Sequence, residues 1–404
     1  MKILSLSLKN IFRNKKRTIL TLFTISLGFS MLGLSFGYIN YVKWGLREST
    51  IYSQTGHFQV VNKKSLKEEE EQTILQYGVT NYRKMIGEIE KIDEVNVALP
   101  RINFTGLVAT DYKSNAILVS AVNPEKEIIL GNTFINEKPY EILSNEPDGI
   151  ILGDKLAKSL NLKQGDYITL MTTTTEGALN AMDFKFIGTM SLASSELSKR
   201  FAMIWINKAF DLLRTNKVGK IVIGLYDTED MEIANKKLNK ILSKDLKLIP
   251  WYDLALYYKK VLSFFYQIVS VLTIILMIIV FFSSMNTILM SILERRREFA
   301  TLRAIGTTKL EVFKLLVAEG VWLSIIGIAF GILFEYVASI VINNANIMMP
   351  PPPGSARGYT LMVRLLFDNN LFLAVISFSV VIFSCMVPSL KVFKENIAIA
   401  LRSE

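Results

Sequence analysis

With 404 residues, 50% of them hydrophobic, and a mean hydropathy of +0.33, the chain is too apolar for an ordinary soluble protein, yet its 20% of charged residues is too high for a bare membrane bundle. The net charge of +10 collects beside apolar runs, in "KNIFRNKKR" and "ERRRE", as it does at membrane flanks, and nucleic acid is set aside as a partner. One cysteine, Cys385, and one histidine, His57, exclude an intrachain disulfide and a His/Cys/Cys zinc site, and leave a Ser-His-Asp triad badly handicapped.

The first 17 residues place Leu4, Leu8 and Ile11 at i, i+4 and i+7, with Lys2, Lys9, Arg13 and Lys16 largely elsewhere. This predicts an amphipathic helix lying on the cytoplasmic leaflet. Residues 18–45 follow as a first transmembrane helix, long enough for a hydrocarbon core of about 30 Å, with neither the short apolar region nor the cleavage site of a signal peptide.

Residues 46–260 have soluble character and predict an extracytoplasmic α+β domain. "GHFQVV" alternates as a strand, with His57 in a structural place at its start. "YRKMIGEIEKI" puts Met85, Ile86, Ile89 and Ile92 on one helical face, and "RINFTGLVA" and "NAILVSAV" are strands. Near the end, "KIVIGLYD", "MEIANKKLNKILSK" and "LKLIPW" give strand, helix, strand, so both ends are expected to join in one sheet. The section between, "GIILGDKLAKSLNLKQGDYITLM" and "TTTTEGALNAMDFKFIGTM", is expected to form a second, β-rich lobe. "LKEEEEQ" lacks the alternating ligands and glycine of a calcium loop and is read as a solvated helix face; no phosphate-binding GxxxxGK[ST] occurs, so the chain is not expected to hydrolyse nucleotide.

Residues 261–293 form a second span of roughly 50 Å at 1.5 Å per residue, which should project beyond the bilayer. Residues 294–311 then interrupt the apolar runs. In "ERRREFATLRAIG", Phe299, Leu302 and Ile305 recur every three residues as an apolar stripe, Gly306 supplies a left-handed terminating position, and Thr308 with Glu311 matches a capping box that starts a new helix. The segment is a helix–turn–helix elbow, either a surface for a partner or an interfacial anchor for the second span.

The third span, 312–342, carries the carboxylates Glu319 and Glu335. Small-xxx-small pairs, Gly33/Gly37 in the first span and Gly327/Gly331 in the third, suit close helix packing, within one subunit or between two. The loop 343–370 contains Pro350, Pro351, Pro352 and Pro353, a stiff polyproline II connector, or a brace where substrate leaves. The fourth span, 371–387, ends at Pro388, with a tail over 388–404. Basic flanks before the first span, between the second and third, and after the fourth put both termini in the cytoplasm. The fold expected is a four-helix membrane protein with a large, two-lobed α+β extracytoplasmic domain inserted between helices 1 and 2.

"LKNIFRNKKRTILTLFTISLG", "MNTILMSILERRREFATLRAIGTTKLEVFKLLVAEG" and "PSLKVFKENIAIALR" together resemble the permease family that includes MacB, LolC, LolE and FtsX; "GIILGDKLAKSLNLKQGDYITL" resembles it more loosely. The resemblance implies a stand-alone, non-catalytic permease subunit of a mechanotransmission ABC transporter in the inner membrane. A separate cytoplasmic ATPase dimer would hold ATP and Mg, this chain binding no cofactor or metal, and a second permease, identical or related, would complete the complex. Glu294 to Gly306 then resembles the coupling helix: Phe299, Leu302 and Ile305 would lie against the ATPase or the bilayer, while Glu294, Arg295, Arg296, Arg297, Glu298 and Arg303 set polar contacts. The family implies release of a lipoprotein or other hydrophobic substrate toward the outer membrane, with a periplasmic carrier and membrane lipid as partners. Efflux of drugs, peptides or toxins through a periplasmic adaptor, and non-transporting activation of a cell-wall hydrolase, are the alternatives.

Overall fold

The computed structural model describes residues 2–11, 13, 15–67, 76–110, 112–131, 139–192, 195–349 and 359–394. In chain order the principal elements are α1 (Lys2–Ile11), α2 (Lys15–Thr50), β1 (Phe58–Asn62), α3 (Tyr82–Ile89), β2 (Val95–Ala109), β3 (Ser114–Val122), α4 (Pro124–Gly131), α5 (Pro139–Asn145), β4 (Gly149–Gly153), α6 (Asp154–Ser159), β5 (Tyr167–Thr173), β6 (Leu179–Met190), β7 (Phe201–Trp205), α7 (Ile206–Leu213), β8 (Lys220–Leu225), α8 (Met231–Ile241), β9 (Leu246–Pro250), α9 (Leu256–Glu294), α10 (Arg296–Ala304), α11 (Lys309–Asn344) and α12 (Phe367–Lys394). Contacts divide the chain into two compact units, one of Gly45–Lys260 with Met349–Tyr359 and one of the remaining residues.

The first of these units is built on one long strand. The N-terminal part of β2 pairs antiparallel with β8, which pairs with β1, which pairs with β9. The order β9-β1-β8-β2, with α3 after β1 and α8 after β8, is a ferredoxin-like split βαβ arrangement. A bulge between Val95 and Val97 turns Val95 and Ala98 to the face covered by α3 and α8, while Val97 and Leu99 face Leu130 of α4. Beyond Arg101, β2 leaves β8 and pairs with β3 on one side and β5 on the other. The pairings β3–β7, β7–β4, β4–β6 and β6–β5 close a six-stranded barrel. Closure leaves the barrel no free edge and puts Phe104, Val119, Leu170 and Phe184 inside, in the same core as Ile86, Ile89 and Leu238 of the sheet's helices. The ends of the two expected pieces therefore share one sheet, but the expected middle section supplies only β4, β5 and β6 of the barrel; β3, the far half of β2 and β7 complete it, so "NAILVSAV" and most of "RINFTGLVA" belong to the barrel and not to the sheet.

Arg101 marks the point where sheet becomes barrel. Its guanidinium holds the Glu127 carboxylate of α4 at 2.5 and 2.6 Å, and both side chains are buried. Burial and the neighbouring Glu127 push the Tyr140 phenol far above its usual range. His57 is fixed just as firmly: its Nδ1 accepts from the Leu225 backbone N–H at 3.0 Å and its Nε2 faces the Thr228 hydroxyl at 3.1 Å. With both ring nitrogens occupied and the ring buried, His57 is structural.

Four helices, the greater part of each in the other unit, are long and apolar enough to cross a membrane: Lys15–Ser53, Leu256–Glu294, Lys309–Asn344 and Phe367–Leu390. The 39 residues of α9 give about 58 Å of helix, more than a hydrocarbon core. The last helix does not stop at Pro388 but runs on to Lys394. A proline costs one backbone donor, and the Ser389 hydroxyl bonds the Cys385 carbonyl at 2.6 Å within that turn. The polyproline residues Pro350, Pro351, Pro352 and Pro353, the acidic run at 68–71 and the tail from 395 lie outside the described residues.

Both glycine pairs are occupied by packing within the chain. The Ser26 and Ser30 hydroxyls of α2 donate to the carbonyls of Gly327 and Gly331 at 2.9 and 2.7 Å. A Cβ on Gly327 would stand 2.7 Å from Ile25, and one on Gly331 2.9 Å from Phe29. Gly33 leaves room for the Glu335 carboxyl, and Gly37 for Val363, beside the 2.9 Å bond from Arg364 N–H to the Gly37 carbonyl. Glu335 is fully buried, and neither of its oxygens reaches a donor with bonding geometry among the described residues, although the Asn370 amide stands nearby.

Candidate functional site

The elbow is made by three local signals. The α9 helix ends at Glu294, and Arg295, with φ −110° and ψ 16°, breaks the helical run before α10 begins. At the far end of α10, Gly306 adopts φ +103°, its N–H reaching the Arg303 carbonyl at 3.2 Å and that of Thr307 the Leu302 carbonyl at 3.0 Å. That pair of bonds is a Schellman closure, and it needs a residue without a Cβ penalty at the left-handed position. Thr308 then caps α11 reciprocally with Glu311, the two bonds measuring 3.3 and 2.8 Å. Termination and restart are as the sequence predicts.

The charges of the elbow have partners within the chain. Arg295 Nη1 donates to Glu319 at 2.8 Å and its Nε to Glu298 at 3.0 Å, while its guanidinium lies 4.8 Å from the centre of the Phe299 ring. The Asn10 amide of α1 donates to the same Glu319 oxygen at 2.9 Å. Arg13 pairs with Glu298 at 2.5 Å and Arg17 with Glu294 at 2.7 Å. Burial works against ionisation of Glu298, but the bonds from Arg295 and Arg13 prevail and hold its carboxyl below the usual range. Higher up, the Thr21 and Thr287 hydroxyls meet. The elbow is thus tied by ion pairs to Arg13 just before α2, to Arg17 at its start and to Glu319 of α11, and α1 joins through the Asn10 hydrogen bond to that same Glu319. A charged elbow between apolar runs is tolerated because its buried cation, Arg295, is satisfied by the buried Glu319 of α11.

The apolar stripe divides. Phe299 is 3% exposed, held among Ile11, Ile292, Val312 and Leu315, so neither an ATPase nor a lipid can lie on it, which corrects the sequence expectation. Leu302 is half-buried against the same cluster, and Ile305 is 76% exposed. The period of three drifts around a 3.6-residue helix, so three residues at that spacing do not share one face. The outward face of α10 carries Arg297, Thr301, Ala304 and Ile305, with Leu310 beyond the turn; Arg296 and Arg303 lie at its half-buried margin. The α1 helix sets Ser7, Asn10 and Ile11 against protein. Sequence reasoning missed the Asn10–Glu319–Arg295 chain, because its members are separated by up to 309 residues.

Four apolar helices with a charged, capped elbow between two of them, and a folded domain of its own, define a polytopic membrane protein. Residues 18–241 match the MacB-like periplasmic core domain and residues 270–397 the FtsX-like permease C-terminal domain. The chain belongs to the MacB/FtsX-like family of ABC-transporter permeases. It is similar to the lipoprotein-releasing system transmembrane protein LolE of Haemophilus influenzae, 20% identical over 271 residues that cover 65% of each chain. It is also similar to LolC of Neisseria meningitidis, 22% identical over 264 residues and 63% of each chain. The match thus spans just under two thirds of these relatives' length. Among solved structures, the periplasmic region of MacB from Actinobacillus actinomycetemcomitans aligns with 52% of this chain and 94% of its own, at 12% identity and a TM-score of 0.36. The extracellular domain of the transporter YknZ from Gram-positive bacteria aligns with 48% and 98%, at 10% identity and a TM-score of 0.33.

Proposed function

We propose that the chain is a non-catalytic permease subunit that couples ATP hydrolysis by a separate cytoplasmic ATPase dimer to movement of an extracytoplasmic domain formed by residues 46–260. The observation that carries this reading is the elbow. Its inner side is joined to α11 by Arg295, to α2 by the Glu294–Arg17 pair, to the link before α2 by Glu298 and Arg13, and to the apolar cluster that includes Ile11 of α1 by Phe299, so force on its outer side reaches α1, α2 and α11 instead of bending a loop. Its outer side presents a small basic and apolar face centred on Arg297 and Ile305. On this reading the elbow and both termini are cytoplasmic, the membrane is the inner one, and a second permease completes the assembly. The lipoprotein-releasing names of LolE and LolC support a lipoprotein or similarly hydrophobic substrate, passed outward to a periplasmic carrier.

The coupling is tested with Ile305→Asp, which places a charge on the exposed face without filling or emptying the interior. Co-reconstituted with its ATPase, this variant is expected to lose most of the permease-dependent stimulation of ATP hydrolysis while melting at the wild-type temperature. Phe299→Asp is the contrasting change: an unpaired carboxylate in the apolar cluster costs several kcal/mol and lowers the melting temperature itself. Undiminished stimulation in Ile305→Asp refutes the assignment. Photo-crosslinking from the extracytoplasmic domain reads the substrate, and recovery of small amphiphiles without any lipoprotein moves the assignment to efflux.

A further inference from the structure

The feet of α1, α2, α9 and α11 enclose a cavity of about 240 Å³. Three arginines line it, Arg13, Arg17 and Arg295, against two carboxylates, Glu294 and Glu319. Both carboxylates are already engaged, Glu319 by Arg295 and Asn10 and Glu294 by Arg17. Among the described residues, the ion pairs of Arg13 and Arg17 each use one terminal nitrogen of the five N–H donors a guanidinium carries, which leaves donors to face a further anion. Arg295 is itself nine-tenths buried, and Lys15 and Lys16, in the first turn of α2 just before Arg17, are exposed. Glu298, just outside the lining, pairs with Arg13 and Arg295, so the three arginines are matched by three carboxylates and the positive excess comes from Lys15 and Lys16; the floor, Ile11 and Leu323, is apolar.

What lies next to this cluster identifies the anion. From the same basic turn, α2 exposes Ile19 and Leu20 at 64% each, then Phe23, Leu27 and Met31, one turn after another. Those residues make an apolar stripe that begins where the arginines end. We infer that the cavity binds the phosphate headgroup of an anionic phospholipid, with the acyl chains lying along the α2 stripe. A free phosphate uses the arginines alone, whereas a phospholipid also finds the lipid-facing side of α2 directly beside them. A lipid held there touches Arg13 and Arg17, the two side chains that tie the start of α2 to the elbow, and it therefore bears on the contacts that hold α10 in place. The inference rests on reading these helices as membrane spans whose basic ends lie at the lipid surface.

The test is native mass spectrometry of the full chain in detergent, titrated in turn with phosphatidylglycerol, phosphatidylcholine and inorganic phosphate. Phosphatidylglycerol is expected to be retained about five-fold more than phosphatidylcholine, and Arg17→Gln to remove about that factor. Arg13→Gln, at a 62% exposed side chain, is the second variant and guards against a folding defect at Arg17. Equal retention of the two lipids, or undiminished retention in both variants, overturns the site. Displacement of the lipid by millimolar phosphate shows a free-anion site and overturns the lipid assignment. A chain that prefers phosphatidylglycerol but fails to stimulate an ATPase upholds this inference and refutes only the coupling role.

Discussion

His57 shows how little a solitary titratable residue says until its neighbours are known. Burial, with Arg47 adding repulsion and Asp227 opposing it, lowers its pKa to about 4 from 6.5, so the folded chain holds it neutral. Above pH 6.5 the ring is neutral in both folded and unfolded chains, and the stability is whole. As pH falls from 6.5 to 4 the unfolded chain takes the proton first, and about 3 kcal/mol of stability is lost across that window. Denaturant unfolding of the wild type should therefore weaken from pH 7 to 4.5 more steeply than that of His57→Gln; parallel curves would contradict the assignment. At Phe299 and Ile305 the lesson is different. Both were visible as apolar residues of an amphipathic helix, but which of them faces solvent depends on α1 and α11, far away in sequence, arriving at the Phe299 side.

At the scale of elements, boundaries written by local chemistry were legible. Gly306 and Thr308 with Glu311 define the elbow's turn by themselves, because a Schellman closure and a capping box are completed within a few residues. Pairing between elements was only half legible. The GxxxG spacing announced close packing, yet the partner of Gly327 and Gly331 is the Ser26/Ser30 face of α2, not the Gly33/Gly37 pair. Gly331→Val should accordingly destabilise the bundle by about 1–3 kcal/mol, read as a lower melting temperature in detergent, since even the first added carbon meets Phe29. Gly45→Ala, where an added Cβ meets nothing within 4 Å, should leave that temperature unchanged or slightly raised. If both variants melt like wild type, the close approach does not exist in the membrane.

At the scale of the whole molecule, one unit is a ferredoxin-like sheet with a barrel inserted through β2, and the other a four-helix bundle with an elbow. The core of the first unit runs unbroken from the sheet's helices into the barrel. Residues 45–260 expressed without the spans should therefore be soluble, show strand-rich circular dichroism and unfold in a single transition. Two separate transitions, one for the sheet and one for the barrel, would show that β2 and the buried Arg101–Glu127 pair do not couple them.

The sequence alone determined the four apolar spans, the basic flanks, the soluble stretch between the first two spans and the capped turn after Gly306. Each of these is carried by composition or by residues within one or two helical turns. Only the tertiary structure decided that β2 serves sheet and barrel together, that Arg101 meets Glu127, and that Asn10, Arg13 and Arg17 hold the elbow through Glu319, Glu298 and Glu294. Those contacts join residues tens to hundreds of positions apart, and their chemistry is ordinary in sequence; burial makes the Arg101–Glu127 and Arg295–Glu319 pairs consequential, by removing the water that would otherwise satisfy the same charges.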